Sequence, residues 1–346
     1  MLTRALTAVA AGARRRYQAL TPAAYRRITL ITLASLVAIM VTGASVRLTD
    51  SGLGCSTWPS CEPDSFTPHS ASDLNGMVEF VNRLITGVVM LFTLVAVVGA
   101  RRFRDERPEL FRWSLGLPVW VLGNAVVGGM VVILHLDPLS VIGHFLVSLG
   151  AVWNAVVLHE RAGEAANPGG VRRPQALPTV VTATRLLLAA AALVIVSGTI
   201  VTGSGPHAGD SRADRLDFVV GDVARLHGIA VILFLGLTLA ILVMAGRGDA
   251  APLLGRRLRE LLVVLVAQAG VGYTQYFTGV PAVLVGIHVL GAALVWVAVV
   301  RVQLALSAPV GVVPPQAAHT EADAAPVAAP DKDPDGRRRI PAGMRD

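Results

Sequence analysis

The chain has 346 residues, of which 53% are hydrophobic and only 15% charged, with a mean hydropathy of +0.61. A soluble domain carries about 25% charged residues to keep its surface wet, so an integral membrane protein is expected and most soluble-enzyme templates are excluded. The net charge of +7 and pI near 10.3 would suggest nucleic acid in a soluble chain; in a membrane protein the same charge is first a topology signal.

A membrane helix needs about 20 mostly apolar residues. Eight stretches qualify, at roughly 28–46, 76–100, 113–134, 140–158, 183–201, 221–244, 260–277 and 282–305. The first reads as an uncleaved span. Its polar and basic lead is long, and Thr42-Gly43-Ala44-Ser45 runs into Arg47 without a small-x-small cleavage site. Segments 1–27, 101–112, 159–185, 246–260 and 306–346 share a side with the N-terminus and hold 24 of the 30 basic residues, whereas the opposite loops hold Arg47, Arg212 and Arg215. The positive-inside rule then puts both termini in the cytoplasm of a multi-pass plasma-membrane protein. The basic pI reflects topology and anionic lipid, and implies no nucleic-acid partner.

The chain divides into a cytoplasmic N-terminal segment (1–27), a first four-helix half (28–160), a cytoplasmic linker (161–182), a second four-helix half (183–305) and a tail (306–346). The linker contains Asn167-Pro168-Gly169-Gly170, a flexible turn sequence. The tail is Ala/Pro-rich and then charged, has little to bury, and is expected to be disordered.

The two halves look like copies. Asn124-Ala125-Val126-Val127-Gly128 begins 20 residues before His144, and Gln268-Ala269-Gly270-Val271-Gly272 begins 20 residues before His288. A short turn with a proline, Pro138 or Pro281, separates each pair. Upstream, Thr49-Asp50-Ser51-Gly52 matches Thr202-Gly203-Ser204-Gly205. Four spans return the chain to its starting side, so these are parallel repeats. The predicted fold is an all-α integral membrane protein, with eight transmembrane helices as two pseudo-symmetric four-helix bundles. His227 precedes His288 by 61 residues and Asn82 precedes His144 by 62, so the second half has a His/His pair where the first has Asn/His.

Ionisable or ligating residues inside a span are costly and usually functional. His227 and His288 each lie about six residues into their spans, roughly 9 Å below the outer interface. Two imidazoles at one depth on facing helices suit the axial positions of a haem iron; zinc would want further ligands. In the first half His144 is equally shallow, and asparagine is a poor axial ligand. Glu79 and Asn82 share a helix face, which places a carboxylate beside a pocket with one strong ligand and an open side. Glu79 and Arg83 also read as an i,i+4 ion pair. The only cysteines, Cys55 and Cys61, fall in an outer loop on the oxidising side, where a disulfide is expected, either as a structural staple over the pocket mouth or as a redox-active pair. Arg212 and Arg215 could meet haem propionates or snorkel at the interface, and His207 reads as a loop histidine.

These motifs resemble a known family. Arg47-Leu48-Thr49-Asp50-Ser51-Gly52-Leu53-Gly54-Cys55, followed by Trp58-Pro59 and Cys61, is similar to the first outer loop of bacterial haem A synthases. Glu79-Phe80-Val81-Asn82-Arg83 resembles that family's Glu-x-x-His-Arg motif, and Thr202-Gly203-Ser204-Gly205-Pro206-His207-Ala208-Gly209-Asp210 resembles its second-half signature. The resemblance covers about residues 28–305. It implies an oxidoreductase that converts the C8 methyl of haem O to the formyl group of haem A for terminal oxidase assembly. It implies a haem b cofactor on His227 and His288. It also implies a substrate haem O site in the first half on Glu79, His144 and the Asn82-Arg83 motif positions, under the cysteine pair. Asn82 stands where the family has histidine, so the first half lacks a second strong axial ligand; a substrate that must leave needs none. Two hydroxylations of the methyl and loss of water would give the aldehyde.

Rival readings are a transmembrane electron-transfer cytochrome and a haem transporter or chaperone. The first is disfavoured because the candidate ligands gather at one depth, and the second gives no reason for Glu79. Expected partners are haem O, membrane lipid, the farnesyltransferase that makes haem O and a membrane electron donor; a homo-oligomer is compatible with the sequence.

Overall fold

The computed structural model describes residue 17 and residues 19–70, 73–164, 172–174, 176–246 and 252–309. Among these run eight long helices: α1 (Pro22–Leu48), α2 (Leu74–Arg101), α3 (Pro108–Ile133), α4 (Pro138–Ala162), α5 (Pro178–Ser204), α6 (Val220–Gly246), α7 (Pro252–Phe277) and α8 (Ala282–Leu304). Their starts follow local chemistry. Thr21 Oγ1 accepts from Ala24 N at 3.2 Å, Asp73 Oδ1 from Gly76 N at 3.0 Å, and Asp137 Oδ1 from Ser140 N at 3.0 Å; each satisfies an otherwise orphaned amide. Proline opens α1, α3, α4 and α5, where its missing N–H costs nothing.

Seven of the eight are long and apolar enough to cross a membrane. The other is α7: Arg256, Arg257, Arg259 and Glu260 occupy its first turns and Gln268 and Gln275 its later ones, which leaves a shorter apolar middle. The eight expected spans therefore appear as eight helices with seven candidate spans. Large apolar side chains such as Leu91, Leu94, Leu193, Leu233 and Val263 face outward, while Ala96, Ala100, Ala151, Ala155 and Ala293 are buried between helices. The interior also holds large side chains such as Tyr25, Phe234 and Leu110, but the outward-facing leucines and valines depart from the soluble pattern and the buried alanines match the small-residue contacts of helices packed in lipid. The chain is an all-α, multi-pass membrane protein.

Consecutive helices pack along α1–α4, and α1 also packs on α4; the same relation holds for α5–α8. Helices α4 and α8 join the two sets, with α1 also against α8. Trp296 on α8 donates to Leu149 O on α4 at 3.0 Å and lies 5.7 Å, ring to ring, from Trp153. At the end where both sets finish, Glu160 on α4 accepts from buried Arg257 at 2.7 Å and from Arg301 at 2.8 Å. A buried guanidinium needs such a partner, since either charge alone would be costly there.

Two short strands, β1 (Arg172–Pro174) and β2 (Ser307–Pro309), pair antiparallel with Arg172 opposite Pro309. The sequence reading puts the first in a flexible linker and the second in a disordered tail. Here the linker holds the first residues of that tail, and Arg172 donates to Ser307 O at 2.8 Å and to Glu164 at 2.7 Å. Asn167-Pro168-Gly169-Gly170, the segment 1–16 and the tail from 310 onward lie outside the described residues.

Candidate functional site

Asn82, His144, His227 and His288 lie within the first nine residues of α2, α4, α6 and α8. At 1.5 Å per residue each is roughly 9–12 Å from its helix start. These four helices run in the same direction, so all four positions fall at one end of the molecule, the end with the α1–α2 and α5–α6 loops.

Each of these side chains sits beside a glycine on the preceding helix. A Cβ added at Gly128 on α3 would lie 3.2 Å from His144 Cε1, one at Gly198 on α5 would lie 3.1 Å from His227 Cε1, and one at Gly272 on α7 would lie 3.0 Å from His288 Cε1. Gly43 on α1 faces the Asn82 amide more loosely, at 4.0 Å. All four positions thus repeat one arrangement, a ring or amide seated where the neighbouring helix has no side chain. Gly128 and Gly272 stand out in the sequence only as parts of the repeat. Gly198 and Gly43 are separated from their partners by a loop, and nothing in the sequence pairs them.

The His227 and His288 rings are 6.5 Å apart, centre to centre, with planes at 70°. A metal–imidazole bond is about 2.0–2.1 Å and a ring nitrogen lies about 1.1 Å from the ring centre, so imidazoles on opposite sides of one metal have centres about 6 Å apart. The spacing fits that arrangement. His227 Nδ1 is within 3.0 Å of Ser197 Oγ, which in turn donates to Val194 O at 2.9 Å. A second partner of this kind fixes a ligating imidazole's orientation. The Nδ1 atoms of His144 and His288 are buried and have no hydrogen-bond partner among the described residues, an unusual state for a buried polar atom. Among the described residues none of the three Nε2 atoms makes a hydrogen bond, and no three His, Cys, Asp or Glu side chains gather as a metal centre. The donor set therefore suits a group that takes two axial nitrogens, as haem iron does.

One turn below the histidines, a side-chain amide on α3 and another on α7 reach α4 and α8 by different contacts. Asn124 Oδ1 accepts from Ser148 Oγ at 2.8 Å, Ser148 also reaches His144 O at 3.0 Å, and Gln268 Nε2 donates to His288 O at 2.8 Å.

In the first half the structure brings Glu79 to the cysteine loop. Glu79 is 5% exposed; its Oε2 accepts from Cys55 N at 2.8 Å, and its Oε1 is paired with Arg83. Arg83 also donates to Thr57 O at 3.0 Å and Ser60 O at 2.9 Å. The i,i+4 ion-pair reading of these residues is therefore the one observed, extended to clamp the loop. Arg83, expected in the substrate site, spends its donors on that clamp. Asn82 turns instead to α1, where Thr42 Oγ1 donates to its Oδ1 at 2.8 Å. No hydrogen bond joins Glu79 or Asn82 to His144 among the described residues. Cys55 and Cys61 form a disulfide, both 0% exposed, which favours the staple over a pair open to exchange with another protein. Trp58 lies against Gly129 on α3, so the loop is pinned to both sides of the first half.

In the second half Arg212 is bound to Asp210 at 2.9 and 3.0 Å, which removes it as a free anion donor and holds the Asp210 carboxyl below the usual carboxylate range. His207 Nε2 is 2.9 Å from Val280 O and ties the α5–α6 loop to the α7–α8 turn, the structural role expected of it.

A family model described as cytochrome oxidase assembly protein (COX15-CtaA) matches residues 26–77 and 73–209, more than half of the chain. Relatives named Heme A synthase include that of Geobacillus thermodenitrificans, 32% identical over 100 residues covering 29% of this chain and 30% of the relative. The Lysinibacillus sphaericus protein is 31% identical over 119 residues, 33% of this chain and 37% of the relative. The Shouchella clausii protein is 28% identical over 145 residues, 41% of this chain and 47% of the relative. The chain thus spans about a third to just under half the length of the relatives it matches. The family match includes Glu79, Asn82 and His144 and ends before His227 and His288.

Proposed function

The chain belongs to the COX15-CtaA family of cytochrome oxidase assembly proteins, and on that premise we propose that it is a membrane oxidoreductase converting haem O to haem A. The helices form two pseudo-symmetric four-helix halves, supported by the neighbour relations of α1–α4 and α5–α8, with the ligand end on the outer side of the plasma membrane and both termini in the cytoplasm. The second half holds haem b between His227 and His288. When bound there, haem b would supply one-electron transfer, with His227 and His288 the residues that would hold it.

Haem O is the substrate of the first half. His144 is its one strong ligand, and Asn82, held by Thr42, leaves the opposite face weakly contacted. Glu79 is the candidate catalytic carboxylate. Both its oxygens are engaged, so it acts by fixed negative charge beside the substrate more readily than by carrying a proton. Arg83 positions Glu79 and the cysteine loop, which closes the site from water.

The observation that carries the haem reading is the His227–His288 pair, 6.5 Å apart with neither Nε2 hydrogen-bonded among the described residues. The decisive experiment extracts haems from cells with and without the gene and separates them by chromatography. Loss of haem A with accumulation of haem O is the expected result. Unchanged haem A would overturn the enzyme assignment and favour a haem carrier.

The glycine seats give a second test. A methyl group at Gly272 or Gly198 meets the imidazole at a separation the ring must yield to, and overpacking of this kind typically costs about 1–3 kcal/mol. Gly272→Ala and Gly198→Ala are expected to lower haem b retention by about tenfold and broaden its absorbance, while Gly87→Ala, whose added methyl meets nothing within 4 Å, leaves both unchanged. Wild-type spectra and haem content in both seat variants would show that the rings do not depend on these glycines.

A further inference from the structure

The last turn of α1 leaves its own half. Leu48 lies against Gly286, where an added Cβ would be 3.6 Å from it, two residues before His288. Arg47 reaches the end of α5, donating from Nη2 to Thr202 O at 3.0 Å, one turn beyond the glycine that seats His227. The α5–α6 loop makes room for it. Gly209 has a φ of +101°, and a Cβ there would stand 3.1 Å from Arg47 Cγ, so both the backbone and the contact call for glycine. Gly52 N donates to Gly209 O at 2.9 Å and locks the two loops together.

Arg47 is not satisfied by this arrangement. Its Nε is buried and has no hydrogen-bond partner among the described residues. Arg215 reaches the same stretch of chain, its Nη2 donating to Pro206 O at 3.0 Å, four residues beyond the Thr202 carbonyl that Arg47 holds. Neither arginine pairs with a carboxylate among the described residues, although Arg212 nearby is bound to Asp210. Two guanidiniums gathered on one short loop, with no carboxylate partner among the described residues, repel each other. An oxyanion between them would remove the repulsion and supply acceptors for the remaining N–H groups.

We propose that Arg47 of the first half and Arg215 of the second form a carboxylate-binding site at the rim of the His227–His288 pair, which takes the propionates of the haem held there. The proposal rests on the reading that this pair holds a haem. The substrate half thereby contributes a residue to the cofactor site, and the two halves are joined through the cofactor's own charges. The same oxyanion chemistry could come from an anionic lipid headgroup, and the test separates the two.

Full-length protein, prepared from haem-depleted cells and reconstituted in zwitterionic nanodiscs, is titrated with ferric haem b and with its dimethyl ester, which keeps the iron and loses both propionate charges. Wild type is expected to prefer the free acid by about tenfold or more, the scale of a charge-assisted contact. Arg47→Gln and Arg215→Gln should each erode that preference while leaving dimethyl-ester affinity within about twofold, and Arg47→Lys should restore part of it, a lysine lacking the second donor. Equal loss of both haems in the Gln variants would make the arginines merely structural and overturn the proposal; so would an unchanged preference. A preference that depends on added phosphatidylglycerol would assign the site to lipid instead. Wild type that binds neither haem with low-spin character would defeat the haem reading of the second half itself, a result distinct from failure of the arginine site.

Discussion

Purified His288→Ala protein is expected to lose at least about nine-tenths of the low-spin haem b proposed for the second half, measured as haem per polypeptide and as the low-spin absorbance. His288 supplies one of two nitrogens whose ring spacing of 6.5 Å suits a single metal between them, and a haem held by one histidine exchanges readily. The substitution orphans nothing, because His288 Nδ1 has no partner to lose and Gln268 bonds the backbone carbonyl of residue 288, which remains. The helices should therefore persist, and circular dichroism is the control. His227→Ala should behave alike, since Ser197 keeps its bond to Val194 O. His144→Ala should leave the second-half spectrum intact and impair substrate turnover. Replacement of His69, exposed in the α1–α2 loop, should do neither. Undiminished low-spin haem in His288→Ala would remove the second half from the cofactor assignment, whatever the first half does.

Much of this architecture is legible from hydropathy, because a helix in lipid must be apolar over about 20 residues and few alternatives satisfy its backbone. The helix whose apolar stretch is short is also the one where that signal weakens: α7 carries Arg257 inward to Glu160, a contact 97 residues away in sequence that no local pattern announces. The repeat made the histidines legible by position. Their seats were not, since Gly198 meets His227 only after the chain has left and re-entered the bundle, and a glycine's value there is the volume it does not occupy. Glu79 shows a different limit. The i,i+4 spacing of Glu79 and Arg83 was readable, but the Cys55 amide that takes the other carboxylate oxygen became a partner only through the loop's fold. Arg47, Arg212 and Arg215 are equivalent by composition; what separates them is that Asp210 neutralises Arg212 and no described carboxylate reaches the other two.

Glu79→Ala and Glu79→Gln are expected to separate the loop-anchoring contacts of the carboxylate from the catalytic role proposed for it. The alanine variant removes the acceptor of the Cys55 amide and leaves the Arg83 guanidinium unpaired. Breaking a fully buried ion pair costs about 3–5 kcal/mol, and the cost is less here because the Arg83 side chain keeps 21% exposure. That is enough to loosen the loop without unfolding eight helices. Its disulfide, 0% exposed in the folded chain, should then be reduced by a membrane-impermeant phosphine much faster than in wild type, with haem b retained and haem O accumulating. Glutamine keeps an acceptor for Cys55 N and should preserve most of the disulfide's protection, yet it carries no charge. If fixed negative charge beside the substrate matters, Glu79→Gln should still lower haem A formation by about 100-fold. Arg83→Met is the converse case: it frees Thr57 O and Ser60 O, exposes the disulfide, and keeps the carboxylate. Normal haem A from Glu79→Gln would reduce Glu79 to a loop anchor. A disulfide as resistant in Glu79→Ala as in wild type would instead show that the loop is held by Trp58 and the helix ends, and that the carboxylate's place beside the substrate is its whole function.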